Sequence, residues 1–196
     1  MVAGQFELPP TLRQVLLARI GVLSSAATHV LALVAAAGSP VRHELLAAMG
    51  TLPKEALLRA IRECVDHQVL LVDSRRGGYA FRHNLLRDAV EDQLLPAELA
   101  ALHRACAAAL SADRSLAYGS APAELAWHWF AAGDRDRALP AAVEAAEAAE
   151  ASYGFAEAWG HLERAVKLWD SGLAGDSLDG LELRMRTAEL ANLAGD

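Results

Sequence analysis

Apolar residues in the first part of the chain recur with a helical period, and proline, glycine and serine separate the segments. The run LPPTLRQVLLARIGVL predicts a first helix that begins after Pro9 and Pro10. Ser24 or Ser25 then caps a second helix, which stops at Gly38. Pro40 and Pro53 precede two more helices. The last of these is expected to bury a stripe formed by Leu57, Leu58, Ile61 and Val65.

The pattern then changes to two short apolar runs in VLLVDSRRGGYAFRH. They lie on either side of two arginines and two glycines, Arg75 to Gly78, which is typical of a β-hairpin. A further helix follows, with Leu86 and Val90 facing inward. Helices followed by one small hairpin are the layout of a winged helix, which we place at residues 8–96.

Residues 97–196 show only helical patterns, interrupted by turn residues. The stretch 113–121 is expected to be a loop or a domain boundary. Ala194-Gly195-Asp196 repeats Ala132-Gly133-Asp134, which indicates weak helical-hairpin repeats. The overall prediction is a mostly α chain, with a winged helix followed by a tetratricopeptide-like antiparallel helical array. Because the chain stops at a turn, we expect the array to be truncated and its last helix to be open for self-association.

Composition and charge narrow the function classes. Hydrophobic residues make up 54% of the chain, and no run is long enough for a membrane span. Cys64 and Cys106 are far apart, which favours a reduced, cytoplasmic setting. The net charge is −7, with 10 basic and 9 acidic residues up to Pro96 but 8 and 16 after it. This balance gives little support to nucleic-acid binding.

The sequence contains no signature of catalysis. A Gly-rich phosphate loop, HExxH and Gly-x-Ser-x-Gly are all missing. His103 and Cys106 lie one helical turn apart and could ligate a metal, but two more ligands would be needed. A buried cysteine beside a surface histidine is the preferred interpretation. We therefore predict no enzyme, and no metal or cofactor bound by this chain alone.

Two binding surfaces can be considered. In a winged helix, Arg59 and Arg62 would lie on the recognition helix and Arg75 and Arg76 at the tip of the wing. Acidic neighbours on that helix would oppose phosphates, so packing against protein is preferred to DNA contact. Four tryptophans could line a peptide groove, although interhelical core is the preferred interpretation: Trp127, Trp129, Trp159 and Trp169.

The segment YAFRHNLLRDAV, from Tyr79 to Val90, carries the most specific hypothesis. A short strand passes directly into a helix at Arg82, His83 and Asn84. The amide groups at a helix N-terminus attract anions, so His83 could contact a phosphate. It could equally cap the helix and have no other role.

Three segments together resemble the middle region of large bacterial LuxR-type transcriptional regulators. These are LPPTLRQVLLARIGVLSSAATHVLALVAAAG, YAFRHNLLRDAVEDQLLPAELAALHRACAAAL and ELAWHWFAAGDRDRALPAAVEAAEAA. Such regulators carry an AAA-type ATPase domain of the STAND class, a winged helix, tetratricopeptide-like helices and a C-terminal DNA-binding domain. The most specific part of the resemblance is FRHNLLRDAV.

The resemblance implies a regulatory role in which ATP or ADP is bound by another domain of the parent protein. In the STAND class, a Met-His-Asp element of the winged helix contacts the bound diphosphate. HNLLRD is similar to that element, so the resemblance gives this role to His83, with Arg82 and Asn84 at the positions of Met and Asp. The implied partners are the nucleotide-binding domain of the same polypeptide and an inducer or protein at the helical array. Stand-alone tetratricopeptide scaffold and winged-helix DNA binder are the alternatives.

Overall fold

The computed structural model describes residues 18–38, 40–50, 52–73, 77–173 and 180–194. The chain is mostly helical, with one small antiparallel sheet. It divides into two compact units, Met1–Leu99 and Ala100–Asp196. None of the helices in the described ranges has both the length and the apolar character that crossing a bilayer requires.

The first unit is a set of short helices around a three-stranded sheet. Its elements are α1 Ser25–Ala37, β1 Val41–Arg42, α2 His43–Ala48, α3 Lys54–Asp66, β2 Leu70–Asp73, β3 Gly78–Phe81 and α4 Asn84–Glu91. The strand order is β1-β3-β2, and both pairings are antiparallel. Val41 pairs with Tyr79, and Leu70 pairs with Phe81. The hairpin is therefore confirmed, while β1 is too short for a period-two pattern to predict it.

Helix α1 forms the centre of this unit. Val30, Leu31 and Val34 are fully buried, and the helix contacts α3 and α4. Cys64 of α3 lies against α1, and its thiol donates to the carbonyl of Ala27 at 3.5 Å. An apolar helix is stable only when its surface is removed from water. The elements that cover α1 must therefore lie against it.

The expected stripe on α3 is partly wrong. Leu57 and Ile61 are buried as predicted, but Leu58 is 44% exposed. The helix instead buries Ala60 and Cys64. At 100° per residue, Leu57, Ile61 and Cys64 lie on one face and Leu58 lies beside it. The predicted helix around Leu12 and the wing-tip Arg75 and Arg76 lie outside the described residues.

The start of α1 is fixed by a contact with α3. Ser24 is the N-cap, and its hydroxyl oxygen accepts from the amide of Ala27 at 3.2 Å. The Glu63 carboxylate accepts from the amide of Ser24 at 2.6 Å and from its hydroxyl at 2.7 Å. These hydrogen bonds lower the pKa of Glu63 below its ordinary value. One exposed serine therefore joins two helices and caps one of them.

The second unit is a run of helices, of which the last four pack each on the next. Its elements are α5 Pro96–Ala112 (which crosses the boundary between the units), a 3-10 turn Arg114–Leu116, α6 Ala121–Ala131, α7 Arg135–Ala151, α8 Phe155–Leu168, a π turn Trp169–Leu173 and α9 Gly180–Ala194. The expected loop at 113–121 thus contains the 3-10 turn, and the unit boundary lies earlier, after Leu99.

Alanine makes the close packing of this unit possible. Helix α7 packs on α6 and α8, and six of its residues are buried: Ala138, Leu139, Ala142, Ala145, Ala146 and Ala149. Small side chains let helix backbones approach closely. The turn before α7 uses its two residues as their types favour: Gly133 takes a φ of +70°, and Asp134 caps the helix. On α9, Leu181, Met185 and Leu193 are exposed.

Replacing Ser24 with alanine should weaken the first unit. The variant loses the cap of α1 and the hydroxyl hydrogen bond to Glu63, while the hydrogen bond from the backbone amide of residue 24 remains. This loss should lower the free energy of unfolding by about 1–2 kcal/mol at pH 7. Urea unfolding of Ser24→Ala against Ser25→Ala, which leaves the cap intact, measures the effect. The pKa of Glu63 is lowered in the folded protein, so this contribution is present above the ordinary carboxyl pKa. It is lost as pH falls through the depressed value. Equal losses in the two variants would contradict the assignment.

Candidate functional site

The junction between β3 and α4 holds the predicted nucleotide-sensing residues in consecutive positions. Phe81 before it and Leu86 after it are buried, whereas Arg82, His83 and Asn84 are exposed. The amide of Arg82 donates to the carbonyl of Val69 at 3.0 Å, which links the junction to the residue directly before β2. Two buried anchors and one backbone hydrogen bond therefore present three polar side chains to solvent.

His83 does not cap α4 with its side chain. It occupies the N-cap position in an extended conformation (φ −140°, ψ 137°), but its ring makes no capping hydrogen bond. The first turn of α4 contains no acidic residue. The amide groups of that turn thus keep their partial positive charge, and Arg82 adds a full one. Of the two roles considered for His83, it occupies the cap position through its backbone and without a side-chain capping hydrogen bond, and contact with an anion stays a prediction.

The candidate DNA-contacting residues lie elsewhere in the unit. Arg59 and Arg62 are exposed on α3. Glu63, on the same helix, turns its carboxylate to Ser24, while Glu55 and Asp66 are exposed. Of these acidic residues, Glu63 is engaged by Ser24, whereas Glu55 and Asp66 remain exposed and would oppose a phosphate backbone.

His103 is not the surface residue that the sequence led us to expect. It is 7% exposed, and its Nδ1 lies 3.0 Å from Nδ1 of His128, which is 1% exposed. The rings of Trp127 and His103 are nearly perpendicular, with centroids 6.3 Å apart. Position 128 on the next helix supplies the partner, and no spacing within α5 could have indicated it. Helices α5 and α6 thus meet through a pair of buried imidazoles.

Cys106 is fully buried, as predicted. Burial, followed by the charge of Glu124, raises the pKa of its thiol to about 12. Within the described ranges, no three metal-ligating side chains converge on one point. The predicted buried cysteine is thus confirmed, whereas His103, expected at the surface, is buried in a hydrogen bond with His128.

The second unit also contains an open groove of about 660 Å³ between α5, α6 and α7. The Arg137 guanidinium lies over the ring of Trp129, 4.6 Å from its centroid. The rim carries an ion pair between Arg114 and Glu144. Trp129 is 5% exposed and Trp127 49%, while Trp159 and Trp169 are partly buried. The core interpretation therefore holds for Trp129 and fails for Trp127, because the two residues lie about 200° apart around α6 and cannot face one neighbour.

The free helix start at His83 leads to a stability prediction. His83→Asp places a carboxylate at the N-cap of α4 and should raise the free energy of unfolding by about 0.5–1 kcal/mol. His83→Ala removes no capping bond and should change it by less than about 0.5 kcal/mol. Thermal and urea unfolding of the three proteins measure both values. A loss of 1 kcal/mol or more in His83→Ala would show that the ring has a structural role.

The resemblance to LuxR-type regulators stays a prediction that rests on the quoted segments. No family model matches the chain, and no curated protein or solved structure matches it at a significant level.

Proposed function

We propose that this chain is a signal-relay region of an ATP-dependent LuxR-type transcriptional regulator. In this proposal the first unit is a winged helix that packs on a nucleotide-binding core of the same polypeptide. The second unit is a tetratricopeptide-like array that receives an inducer or a protein partner. The observation that supports it best is the exposed, uncapped junction formed by Arg82, His83 and Asn84 at the start of α4.

A diphosphate fits the chemistry of this junction. The amide of Leu86 already donates to the carbonyl of His83 at 2.9 Å, so the amide groups of Asn84 and Leu85 are the ones placed to donate to phosphate oxygens. The helix dipole favours the negative charge of those oxygens. The Arg82 guanidinium supplies a permanent cation, and the His83 ring and the Asn84 amide supply further donors. The junction cannot enclose a nucleotide by itself. It would complete a site whose remaining contacts come from the ATPase core.

Burial behind the junction offers a way to transmit the signal. Helix α4 buries Leu86, Ala89 and Val90, and it packs on α1 and on β3. A change in the position of its first turn is therefore passed to the core of the unit, because close-packed side chains deform little. Nucleotide at one end and a partner at the helical array would then bias the same two-state equilibrium.

The test uses the polypeptide that contains both the phosphate loop and this chain. Replacing His83 with alanine should weaken ADP binding about tenfold, the value of one hydrogen bond to a charged group. His83→Asp should weaken it further, since a carboxylate repels the diphosphate although it stabilises α4. His67→Ala, at an exposed histidine that ends α3, is the matched control. Unchanged ADP affinity and unchanged basal activity in both His83 variants would refute the proposal.

A tetratricopeptide-type interaction scaffold is the second candidate, and the groove between α5, α6 and α7 favours it. Its wall combines an aromatic ring, an arginine stacked on it and an ion pair at the rim. Amphipathic grooves of this kind suit peptides that offer both apolar and charged side chains.

Filling the groove distinguishes this candidate. Ala108 is exposed and lines the groove, so Ala108→Arg should fill it without disturbing the core. Peptides selected from a display library on the wild-type chain should lose at least tenfold in affinity for Ala108→Arg. They should keep their affinity for Ala101→Arg, an exposed position of α5 that does not line the groove. Equal binding to both variants would exclude the groove as a peptide site.

A further inference from the structure

The two imidazoles between α5 and α6 meet through their Nδ1 atoms. Their Nδ1 atoms face each other at 3.0 Å, so one must carry a hydrogen and the other must accept it. In the neutral pair, the donor ring is protonated at Nδ1 and the acceptor ring at Nε2. The hydrogen bond therefore fixes two different tautomers in two residues of the same type.

The number of protons on the pair decides whether this bond exists. One additional proton on Nε2 of the donor ring leaves the bond intact and makes it charge-assisted. A second additional proton must occupy Nδ1 of the acceptor ring, and then two N–H groups and two positive charges face each other. The pair accordingly tolerates one positive charge and excludes two.

In the described parts of α5, α6 and α7, the charged groups around the pair have other partners. On α5, Arg104 donates to the carbonyl of Ala132 at 3.1 Å, and Cys106 is a neutral thiol. On α6, the Glu124 carboxylate accepts from the amide of Gly119 at 2.6 Å. From α7, Arg137 is held over Trp129. Burial lowers the pKa of both rings, and that of His128 falls to about 4 with a further contribution from the charge of His103.

We propose that His103 and His128 form a proton-controlled latch, which holds α6 on α5 while the rings share a proton and releases α6 when both are protonated. The latch acts within the second unit and does not depend on the regulatory role proposed above. Few other polar contacts join the two helices: Arg104 to Ala132 is the direct side-chain hydrogen bond besides the pair in the described residues. Loss of the imidazole bond in an apolar, alanine-rich contact leaves two unsatisfied buried rings.

The pH window follows from the direction of the shifts. Both histidines have a lower pKa in the folded protein than their ordinary 6.5, so the unfolded chain binds protons more readily. The stability they contribute is full above pH 6.5 and is lost as pH falls toward the folded values. For His128 alone, the unfolding equilibrium constant should rise roughly 20-fold between pH 7 and pH 5.

Nitrogen-15 spectroscopy of the histidine side chains tests the geometry in the native chain. At pH 7, one of the two rings should be protonated at Nδ1 and the other at Nε2, with a scalar coupling between the two Nδ1 nuclei. Two Nε2-protonated rings without that coupling would overturn the proposal. This measurement requires no variant, so it stands even where a substitution prevents folding.

Variants test the release. His128→Gln keeps an uncharged side chain that can bond His103, and it should remove most of the rise in the unfolding constant between pH 7 and pH 5. His161→Gln is the matched control, because His161 is also buried with a lowered pKa but makes its contacts with Arg164 and Glu157 on α8. The protection of amides in α6, which is their exchange rate relative to the intrinsic rate at the same pH, should fall at pH 5 in the wild type and in the control. An unchanged pH dependence in His128→Gln would overturn the latch.

Discussion

The first unit depends on the burial of one helix. Helix α1 is apolar almost all round, with eight buried residues between Ala27 and Ala36, and such a helix is stable only when other elements cover it. Helices α3 and α4 and the strand β3 provide that cover. Because α4 must lay Leu86 and Val90 on this core, its first residue and the preceding His83 are brought to the surface. The position of the candidate phosphate contact is thus a result of core packing.

The second unit solves its packing differently. Alanines carry most of the contacts of α7, and close approach replaces large apolar side chains. The contact between α5 and α6 departs from this pattern, since it places two imidazoles in an otherwise apolar environment. A polar pair in such a place contributes little net stability compared with an apolar pair, but its loss leaves both partners unsatisfied. In the proposed latch, this pair makes the stability of the second unit depend on pH, whereas the rest of the unit is stabilised by close packing of small side chains.

The sequence predicted the parts of this structure that local chemistry determines. The cap at Ser24, the hairpin beside Gly77 and Gly78, and the turn at Gly133 all follow from residue types with strong conformational preferences. The sequence could not predict contacts between distant positions. Strand β1 has only two residues, the exposure of Leu58 depends on which face of α3 meets α1, and the His103–His128 pair joins positions 25 residues apart. The junction at His83 was located by its strand-to-helix pattern, while its lack of a cap required the structure.

The two cysteines of the chain can report the opening of the two units separately. Cys64 belongs to the first unit and Cys106 to the second, and neither thiol is accessible in the folded protein. Burial raises the pKa of each to about 12, so neither forms an appreciable amount of thiolate at neutral pH. An alkylating reagent can modify either sulfur only after its own unit opens. The chain thus contains a natural reporter in each unit, and their separate labelling rates distinguish local opening from concerted unfolding.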